Sequence, residues 1–366
     1  MARLPQYPSL LTHRRSSVLP DELQRLIAEL PEKIEQREPI ADAVRTLIGM
    51  TAAVPPAAIA GAALEIPLLG QFHRRLPLNR HHSRPASPAW VAREALDTTP
   101  DLAWLYLFHA DGRLREAALH WISGPPPNAF LFAALAYRLN DWAEPVRIAA
   151  ADCARRVFPG TAPVVVARAA LHLLTQRWHW QRWGSEAAVL DTALLRPDVL
   201  DQIAAIFRSE PVGALSRTMR EALRSPHMDP YLPDLLKTAA QPALRAIALQ
   251  SLVERRATWP AGFRQEWVDG SLGRSRRVPA FEARPIEHSV PLAALLSDGA
   301  ADRSAAVRKI AADALIAQPE ALAGQQDVVG RLLSDPSQAV RERMDFYMRR
   351  ARGEVAWTVA PAAKTP

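Results

Sequence analysis

The sequence predicts an all-α fold, a right-handed α–α superhelix (an α-solenoid) of about eight stacked helix pairs behind an atypical N-terminal helical cap. The first observation is the phrase DRSAAVRKIAADAL at residues 302–315. Its apolar residues are spaced at i, i+3, i+4, i+7 and i+8, which is one face of an α-helix; they are Val307, Ile310, Ala311, Ala314 and Leu315. The second observation is that the phrase recurs at multiples of one period.

Four of the five copies of the phrase begin with an Asp, and all five carry an Arg directly after the leading apolar residue. Asp302 stands five residues before Val307, and Arg308 follows Val307 directly. Asp suits the start of a helix, since its carboxylate accepts from the unpaired N–H groups of the first turn. The other copies are led by Leu114, Val146, Leu244 and Val340, each with an arginine next: Arg115, Arg147, Arg245 and Arg341. We expect the Arg and Asp of each phrase, Arg147 and Arg308 for instance, to tie neighbouring repeats together rather than contact a ligand.

The leading apolar residues are 32, 98, 63 and 33 positions apart, close to one, three, two and one times a period of roughly 32 residues. Interpolation places two degenerate units in the long gap, one led by Trp180 with Trp183 on the same helix face and one led by Leu215 with Met219. A further unit is due near residue 275, where glycines and prolines exclude a regular helix pair. Residues 258–291 are therefore expected to form an irregular loop insertion.

The phrases DWAEPVRIAAADCA and DRSAAVRKIAADAL resemble the HEAT and HEAT-like repeats, including the short form named after phycobilisome lyases. In that family the second helix of each pair carries Asp, then Val-Arg, then small apolar residues. The resemblance covers residues 88–352 and implies a solenoid fold. It implies little about activity, because one solenoid supports many unrelated functions.

The pattern divides the chain into three parts. Residues 1–87 carry no clear copy of the phrase and are expected to form an N-terminal arm and helical cap. Residues 88–352 form the predicted repeat array, and residues 353–366 a C-terminal tail. The apolar stretch Thr51–Gly70 contains three prolines and Glu65, which favours a buried helix and turn over membrane insertion.

Composition indicates a cytoplasmic, arginine-rich bacterial protein. The net charge is +7, yet only four of the 45 basic residues are lysines, which is typical of a GC-rich genome and weakens the inference of nucleic-acid binding from charge alone. The single cysteine, Cys153, lies on an apolar helix face and cannot form an internal disulfide, which favours a reducing compartment. The N-terminus shows no continuous apolar run of the kind a secretory signal carries.

Three sets of residues are candidates for binding. The stretch RWHWQRW interleaves tryptophan and arginine and is predicted to contact a partner through Trp178, Trp180, Arg182 and Trp183, the alternative being packing between helices. The predicted insertion carries a second partner-binding set, Arg274, Arg276 and Arg277. The basic window at 71–84 is read either as a solvated linker or as a phosphate-binding strip made by Arg74, Arg75, Arg80 and Arg84.

Motifs for catalysis, metals and cofactors are missing from the sequence. It has no phosphate-binding Gly-rich loop with Lys, no GxSxG, no HExxH and no CxxC. HEAT-like deoxyhypusine hydroxylases carry His-Glu iron ligands, and none of the ten histidines is followed by Glu. We therefore predict a non-catalytic scaffold, without cofactor or metal, that binds a protein partner within a bacterial multi-protein complex.

The alternative is a nucleic-acid-binding protein, including a DNA-repair glycosylase of the alkylation-repair HEAT-like class. Trp180, Arg182, Trp183 and Asp191 supply the residue types that such a groove uses, although no motif matches residue by residue. The sequence leaves the oligomeric state open.

Overall fold

The computed structural model describes residues 17–72, 88–176, 179–269, 273–318 and 325–352. Across these ranges the chain is mostly α-helical, which confirms the all-α expectation except for one two-stranded antiparallel sheet. The chain forms two compact units, Met1–Arg196 and Pro197–Pro366. The predicted boundary at residue 87 lies outside the described residues, as do residues 1–16 of the predicted arm and cap and the tail at 353–366.

The first unit contains ten α-helices among its described residues. They are α1 (Asp21–Glu35), α2 (Ala41–Met50), α3 (Ile59–Leu69), α4 (Pro88–Thr98), α5 (Ala103–Tyr106), α6 (Gly112–Trp121), α7 (Ala129–Arg138), α8 (Glu144–Val157), α9 (Pro163–Gln176) and α10 (Glu186–Leu194).

The second unit contains eight α-helices and two strands among its described residues. They are α11 (Pro197–Ser209), α12 (Leu215–Ala222), α13 (Leu232–Thr238), α14 (Pro242–Val253), β1 (Arg256–Asp269), β2 (Arg274–Pro285), α15 (Leu292–Ala300), α16 (Ala305–Ala317), α17 (Gln326–Leu333) and α18 (Gln338–Ala351).

Helices pack in sequence order within each unit. In the first unit α6 contacts α8 and α8 contacts α10, while α7 contacts α9. In the second unit α12, α14, α16 and α18 contact one another in that order, and α11, α13, α15 and α17 do the same. Alternate helices are therefore neighbours.

The apolar residues of each phrase form the core between these helices. Val307, Ala311, Ala314 and Leu315 on α16 are buried, and Ile310 is half-buried. The equivalent residues of α8 are buried as well, from Val146 to Ala154. Because the small side chains at these positions let helices approach closely, the phrase favours tight helix–helix packing.

Arg–Asp pairs link consecutive phrases. Arg308 donates from Nε and Nη2 to the two carboxylate oxygens of Asp335, at 2.6 and 3.0 Å. Arg245 pairs with Asp302 at 2.7 and 3.0 Å, and Arg115 pairs with Asp141 at 3.0 and 2.8 Å. This two-point geometry is the strong form of the Arg–carboxylate interaction. Arg308 of α16 therefore joins the turn that precedes α18, and whether these helices are repeats stays a prediction.

The same side chains also fix the start of each helix. Asp302 and Asp335 accept from the N–H groups of Ser304 and Ser337, at 2.7 and 2.8 Å. Arg308 donates to the carbonyl of Asp302, six residues earlier, at 2.9 Å. One Arg–Asp frame therefore braces the turn before a helix and joins that turn to the preceding phrase. Arg147 differs, since its side-chain partner is Glu186 at 3.7 Å.

The N-terminal helices α1–α3 pack on the later helices of the first unit. Asn128 donates from Nδ2 to Thr51 Oγ1 at 2.9 Å and to the carbonyl of Ile48 at 3.2 Å. Its Oδ1 accepts from the N–H of Leu131 at 3.0 Å and caps α7. One buried amide thus joins α2 to α7.

Two elements differ from the sequence prediction. Residues 258–291 are not an irregular loop, because most of them form the β1–β2 hairpin. Trp180 and Trp183 do not lead a helix, since they lie in the irregular segment between α9 and α10. Leu215 and Met219, which the interpolation assigned to one helix face, do lie on a helix, α12, and are buried.

No single described helix has the length and apolar composition needed to cross a membrane. One bent pair, Ala41–Ala53 and Pro56–Leu69 at 107° to each other, reaches that length and composition when the two are taken together.

Candidate functional site

The hairpin is buried at its base and exposed over most of its length. Its strands pair from Arg256 with Pro285 to Asp269 with Arg274, and the register shifts between Pro260 and Phe263 and again between Trp267 and Asp269. Each strand has only one neighbour, so both are edge strands. Proline is tolerated on edges and at bulges, which explains how this proline-rich segment forms strands.

Arg284 fixes the base of the hairpin to the connection between α12 and α13. Its two Nη groups donate to the two carboxylate oxygens of Asp229, at 2.8 and 2.6 Å. Its Nε donates to the carbonyl of Leu223 at 3.0 Å, and Nη2 donates to that of Ser225 at 2.8 Å. The guanidinium therefore holds three points of the helical body at once.

Trp259 anchors the other strand. It is 8% exposed, its Nε1 donates to Glu282 at 2.9 Å, and the guanidinium of Arg224 lies 5.6 Å from its ring. Arg220 donates to Thr258 Oγ1 at 3.4 Å, and burial lowers the pKa of its guanidinium. Arg220 of α12 and Arg224 just after it thus hold β1, while Arg284 holds β2.

The outer half of the hairpin, residues 261–269 and 274–281, is exposed. Phe263, Trp267 and Phe281 are 59%, 65% and 61% exposed. Exposed aromatic side chains in a group mark binding surfaces far more often than single apolar residues do. We call this part of the molecule the outer hairpin.

The predicted arginines of the insertion lie on the outer hairpin. Arg276 pairs with Glu266 at 2.7 Å, and the guanidinium of Arg277 lies 4.3 Å from the centre of the Phe263 ring. Arg274 is exposed and pairs in register with Asp269. The structure thus places all three on the outer hairpin, with Arg277 against an exposed aromatic ring.

The tryptophan stretch lies in the first unit. The Trp180 ring lies edge-on to Trp183, with centroids 5.0 Å apart, and to Tyr137 at 6.0 Å. Trp180 is buried, whereas Trp183 is half-buried. The N–H of Arg182, which is exposed, donates to Asn140 Oδ1 at 2.9 Å. Trp180 therefore packs within the unit, and binding through Trp183 and Arg182 stays a prediction.

A buried charge cluster lies beside these aromatic residues. Asp141 accepts from both Arg115 and Arg138, each at 2.8 Å. Burial lowers the pKa of Arg138 to about 10, since its guanidinium is removed from water and shares its carboxylate with a second cation. The arrangement holds helices together and presents no free acid or base for catalysis.

Five predicted site residues lie outside the described residues: Trp178 and the arginines of the phosphate-binding strip, Arg74, Arg75, Arg80 and Arg84. Among the described residues no group of three or more His, Cys, Asp or Glu is placed to hold a metal ion.

Sequence reasoning missed the hairpin and its anchors. The signal was present: aromatic residues in WPAGFRQEWV and VPAFEARP flank a Gly-rich turn, which is a hairpin pattern. The prolines hid it, because they argue against a strand in the middle of a sheet. Arg284 could not be found, since its partner Asp229 lies 55 residues away in sequence.

Comparison of the chain with family models, with curated proteins and with solved structures found no match.

Proposed function

We propose that the protein is a HEAT-like repeat scaffold that binds a partner protein through its outer hairpin. On this proposal the helix pairs belong to an α-solenoid, and the protein acts in the bacterial cytoplasm as one subunit of a multi-protein complex. The helical body supplies rigidity, and the hairpin supplies the contact.

The Arg–Asp frame supports the repeat part of the proposal. The pairs Arg115–Asp141, Arg245–Asp302 and Arg308–Asp335 repeat one geometry along the chain. Repeat arrays are stabilised by such contacts between neighbours. The helix order within each unit is the order that a solenoid requires.

The binding part rests on one observation: the hairpin is anchored at its base and exposed at its outer half. An isolated two-stranded hairpin is only marginally stable in water, yet this one is held by Arg284 and Trp259. Arginine and tryptophan are the side chains most enriched among the dominant contacts of protein interfaces, and both are exposed on the outer hairpin.

Nucleic acid is the second candidate partner. Exposed aromatic rings beside arginines, such as Phe263 beneath Arg277, are the elements with which proteins stack on bases and neutralise phosphates.

A shortened hairpin tests the proposal. Trp259 and Glu282 are paired across the strands, so residues 260–281 can be replaced by Asn-Gly, the preferred two-residue hairpin turn. We expect the parent chain to retain a defined protein from a lysate of the source cells and the shortened chain to lose it. Circular dichroism serves as the control for helix content. Equal capture by both chains would contradict the proposal.

A salt titration of DNA binding distinguishes the second candidate partner, nucleic acid, from a protein partner. Each phosphate contact releases a counterion, so the affinity of a nucleic-acid-binding protein falls steeply as salt rises. Tight binding of duplex or single-stranded DNA by the parent chain alone, with that dependence, would favour nucleic acid over protein.

A further inference from the structure

The two faces of the outer hairpin differ chemically. Residues paired across antiparallel strands share a face, and alternate residues of one strand do so as well. The register therefore places Phe263, Trp267 and Phe281 on one face with Arg277. It places Arg264, Arg274 and Arg276 on the opposite face, where Glu266 is paired with Arg276. The hairpin thus has an aromatic face and an arginine face.

The outer edge of β1 carries a regular row of backbone groups. Antiparallel pairs alternate between those that exchange N–H···O bonds and those whose N–H and C=O groups point outward. Proline has no N–H, so the pair of Phe263 with Pro279 is of the outward type. Gln265 and Trp267 lie two and four residues further along β1. Their backbone N–H and C=O groups therefore also point away from β2.

The corresponding edge of β2 is interrupted. Pro279 lies in the middle of its outward row and offers no donor there. Between residues 261 and 269, β1 contains no proline. A third strand can therefore pair with β1 through a continuous set of donors and acceptors, but not with β2.

We propose that the outer edge of β1 is a strand-addition site for an extended segment of the partner protein whose side chains alternate between apolar and acidic. Such a segment continues the sheet through main-chain hydrogen bonds, and its alternate side chains lie on opposite faces. Its apolar side chains lie beside Phe263 and Trp267, and an acidic one beside Arg264. The inference rests on the proposed protein-binding function and specifies the chemistry of the partner.

Charge favours an acidic segment. The outer hairpin has four arginines, at 264, 274, 276 and 277, against Glu266 and Asp269, which leaves a net charge of +2. Arg276 neutralises Glu266. The proposed segment pairs with β1, and on that strand Arg264 is the arginine that belongs to the arginine face. Cross-strand pairs of opposite charge are favourable.

The distribution of cations argues against nucleic acid at this site. A base-stacking platform needs cations beside its rings to meet the phosphates. On the aromatic face the single arginine, Arg277, already lies over the Phe263 ring, and the other three arginines of the outer hairpin lie on the opposite face. A polypeptide strand uses both faces and the open edge together.

Peptide binding to the full-length chain tests the inference. The probe is a fluorescein-labelled peptide of alternating valine and glutamate, about nine residues long to match a typical strand. Its control has the same composition with the valines and glutamates in two separate blocks. Two further probes carry N-methyl groups on alternate residues, one in each register, which removes the donors and keeps the side chains. Fluorescence anisotropy gives the affinities.

We expect the alternating peptide to bind about 10-fold or more tightly than the block peptide, and one of the two N-methylated registers to lose binding. Arg264→Glu is expected to weaken binding about 3- to 10-fold. Arg168→Glu is the matched control, because Arg168 is an exposed arginine on α9 and belongs to the first unit, whereas the hairpin belongs to the second; it should leave the affinity unchanged.

Three results would overturn the inference: equal binding of alternating and block peptides, full binding of both N-methylated registers, or tighter binding of a single-stranded oligonucleotide that Trp267→Ser abolishes. Capture of a partner that requires the hairpin, together with any of the first two results, would leave the scaffold function standing and remove only strand addition. Capture that does not require the hairpin would instead remove the proposed function.

Discussion

The Arg–Asp frame concentrates stability in a few side chains. Asp335 is 3% exposed and accepts from Arg308 and from the N–H of Ser337. The hydrogen bond from Arg308 lowers the pKa of its carboxyl. Because the folded pKa lies below the unfolded one, the stabilisation is present above the unfolded pKa near 4 and is lost as pH falls through the folded value.

We expect Asp335→Asn to lower the free energy of unfolding by about 2 to 4 kcal/mol, since it leaves Arg308 without its charge partner. Urea titration at neutral pH measures the change. Asp345→Asn is the control, because Asp345 is exposed on α18. Equal effects of the two substitutions would show that the frame contributes nothing special.

His109 is expected to make the first unit sensitive to acid. Burial lowers its pKa to about 4, and its Nδ1 accepts from the N–H of Asp111 at 2.9 Å. The unfolded chain takes up the proton near pH 6.5, before the folded chain does, so stability falls as pH drops from about 6.5 to 4, on the order of 1 kcal/mol per pH unit.

The substitution His109→Asn removes the titrating ring and keeps an acceptor for the N–H of Asp111. Asparagine can accept from the N–H two residues on but does not titrate. We expect the variant to lose less stability than the parent chain between pH 7 and pH 5, as measured by urea midpoints at both values. Parallel pH curves for the two proteins would show that His109 is not the source.

At the scale of elements, the hairpin depends on Arg284 for its position. Arg284→Ala removes four contacts to Asp229, Leu223 and Ser225 and leaves the carboxylate of Asp229 unpaired. We expect the amides of 256–285 to exchange hydrogen at least 10-fold faster, because the hairpin alone is marginal. The backbone amides of α16 and α18 should exchange at the same rates as in the parent chain.

Mass spectrometry of deuterium uptake resolves these segments. Arg264→Ala is the control, since Arg264 lies on the exposed outer hairpin and should leave exchange at the base unaltered. Unchanged exchange in Arg284→Ala would mean that Trp259 and the strand pairing suffice to hold the hairpin.

Elements with local signals could be predicted from the sequence. The apolar spacing around Val146 and Val307 predicted α8 and α16, because helix periodicity is written in residues a few positions apart. The hairpin could not be predicted this way, since its prolines argued against strands and its anchors come from α12 and the segment that follows it. Trp180 was assigned to a helix by interpolation, which failed there, although the same interpolation placed Leu215 and Met219 on α12.

The candidate site was predicted in part. Arg274, Arg276 and Arg277 were singled out by charge, and the structure places them on the outer hairpin, where Arg277 lies against the exposed Phe263 ring. Phe263, Trp267 and Phe281 were not singled out, because exposure cannot be read from a segment whose secondary structure is unknown. Strand register, which puts the rings on one face, follows from long-range pairing.

At the scale of the whole molecule, the chain consists of two compact units, and we expect it to unfold in two steps. Cys153 reports on the first unit: it is buried, burial raises the pKa of its thiol to about 12, and it is the single cysteine. A thiol reagent should therefore label it only after that unit opens.

Asp335→Asn should shift the helical unfolding transition of the second unit and leave the urea midpoint of Cys153 labelling in place. Circular dichroism and labelling in the same urea series measure the two transitions. A common shift of both midpoints would show that the units unfold together.

The hairpin leaves and rejoins the helical body at one point. Ile286 donates its N–H to the carbonyl of Arg255 at 2.9 Å, directly before β1 begins and after β2 ends. Helices α14 and α15 therefore contact each other whatever length of chain extends between them. The hairpin can therefore be lengthened, shortened or exchanged between Arg255 and Ile286, in evolution or by design, without changing the packing of the helices on either side.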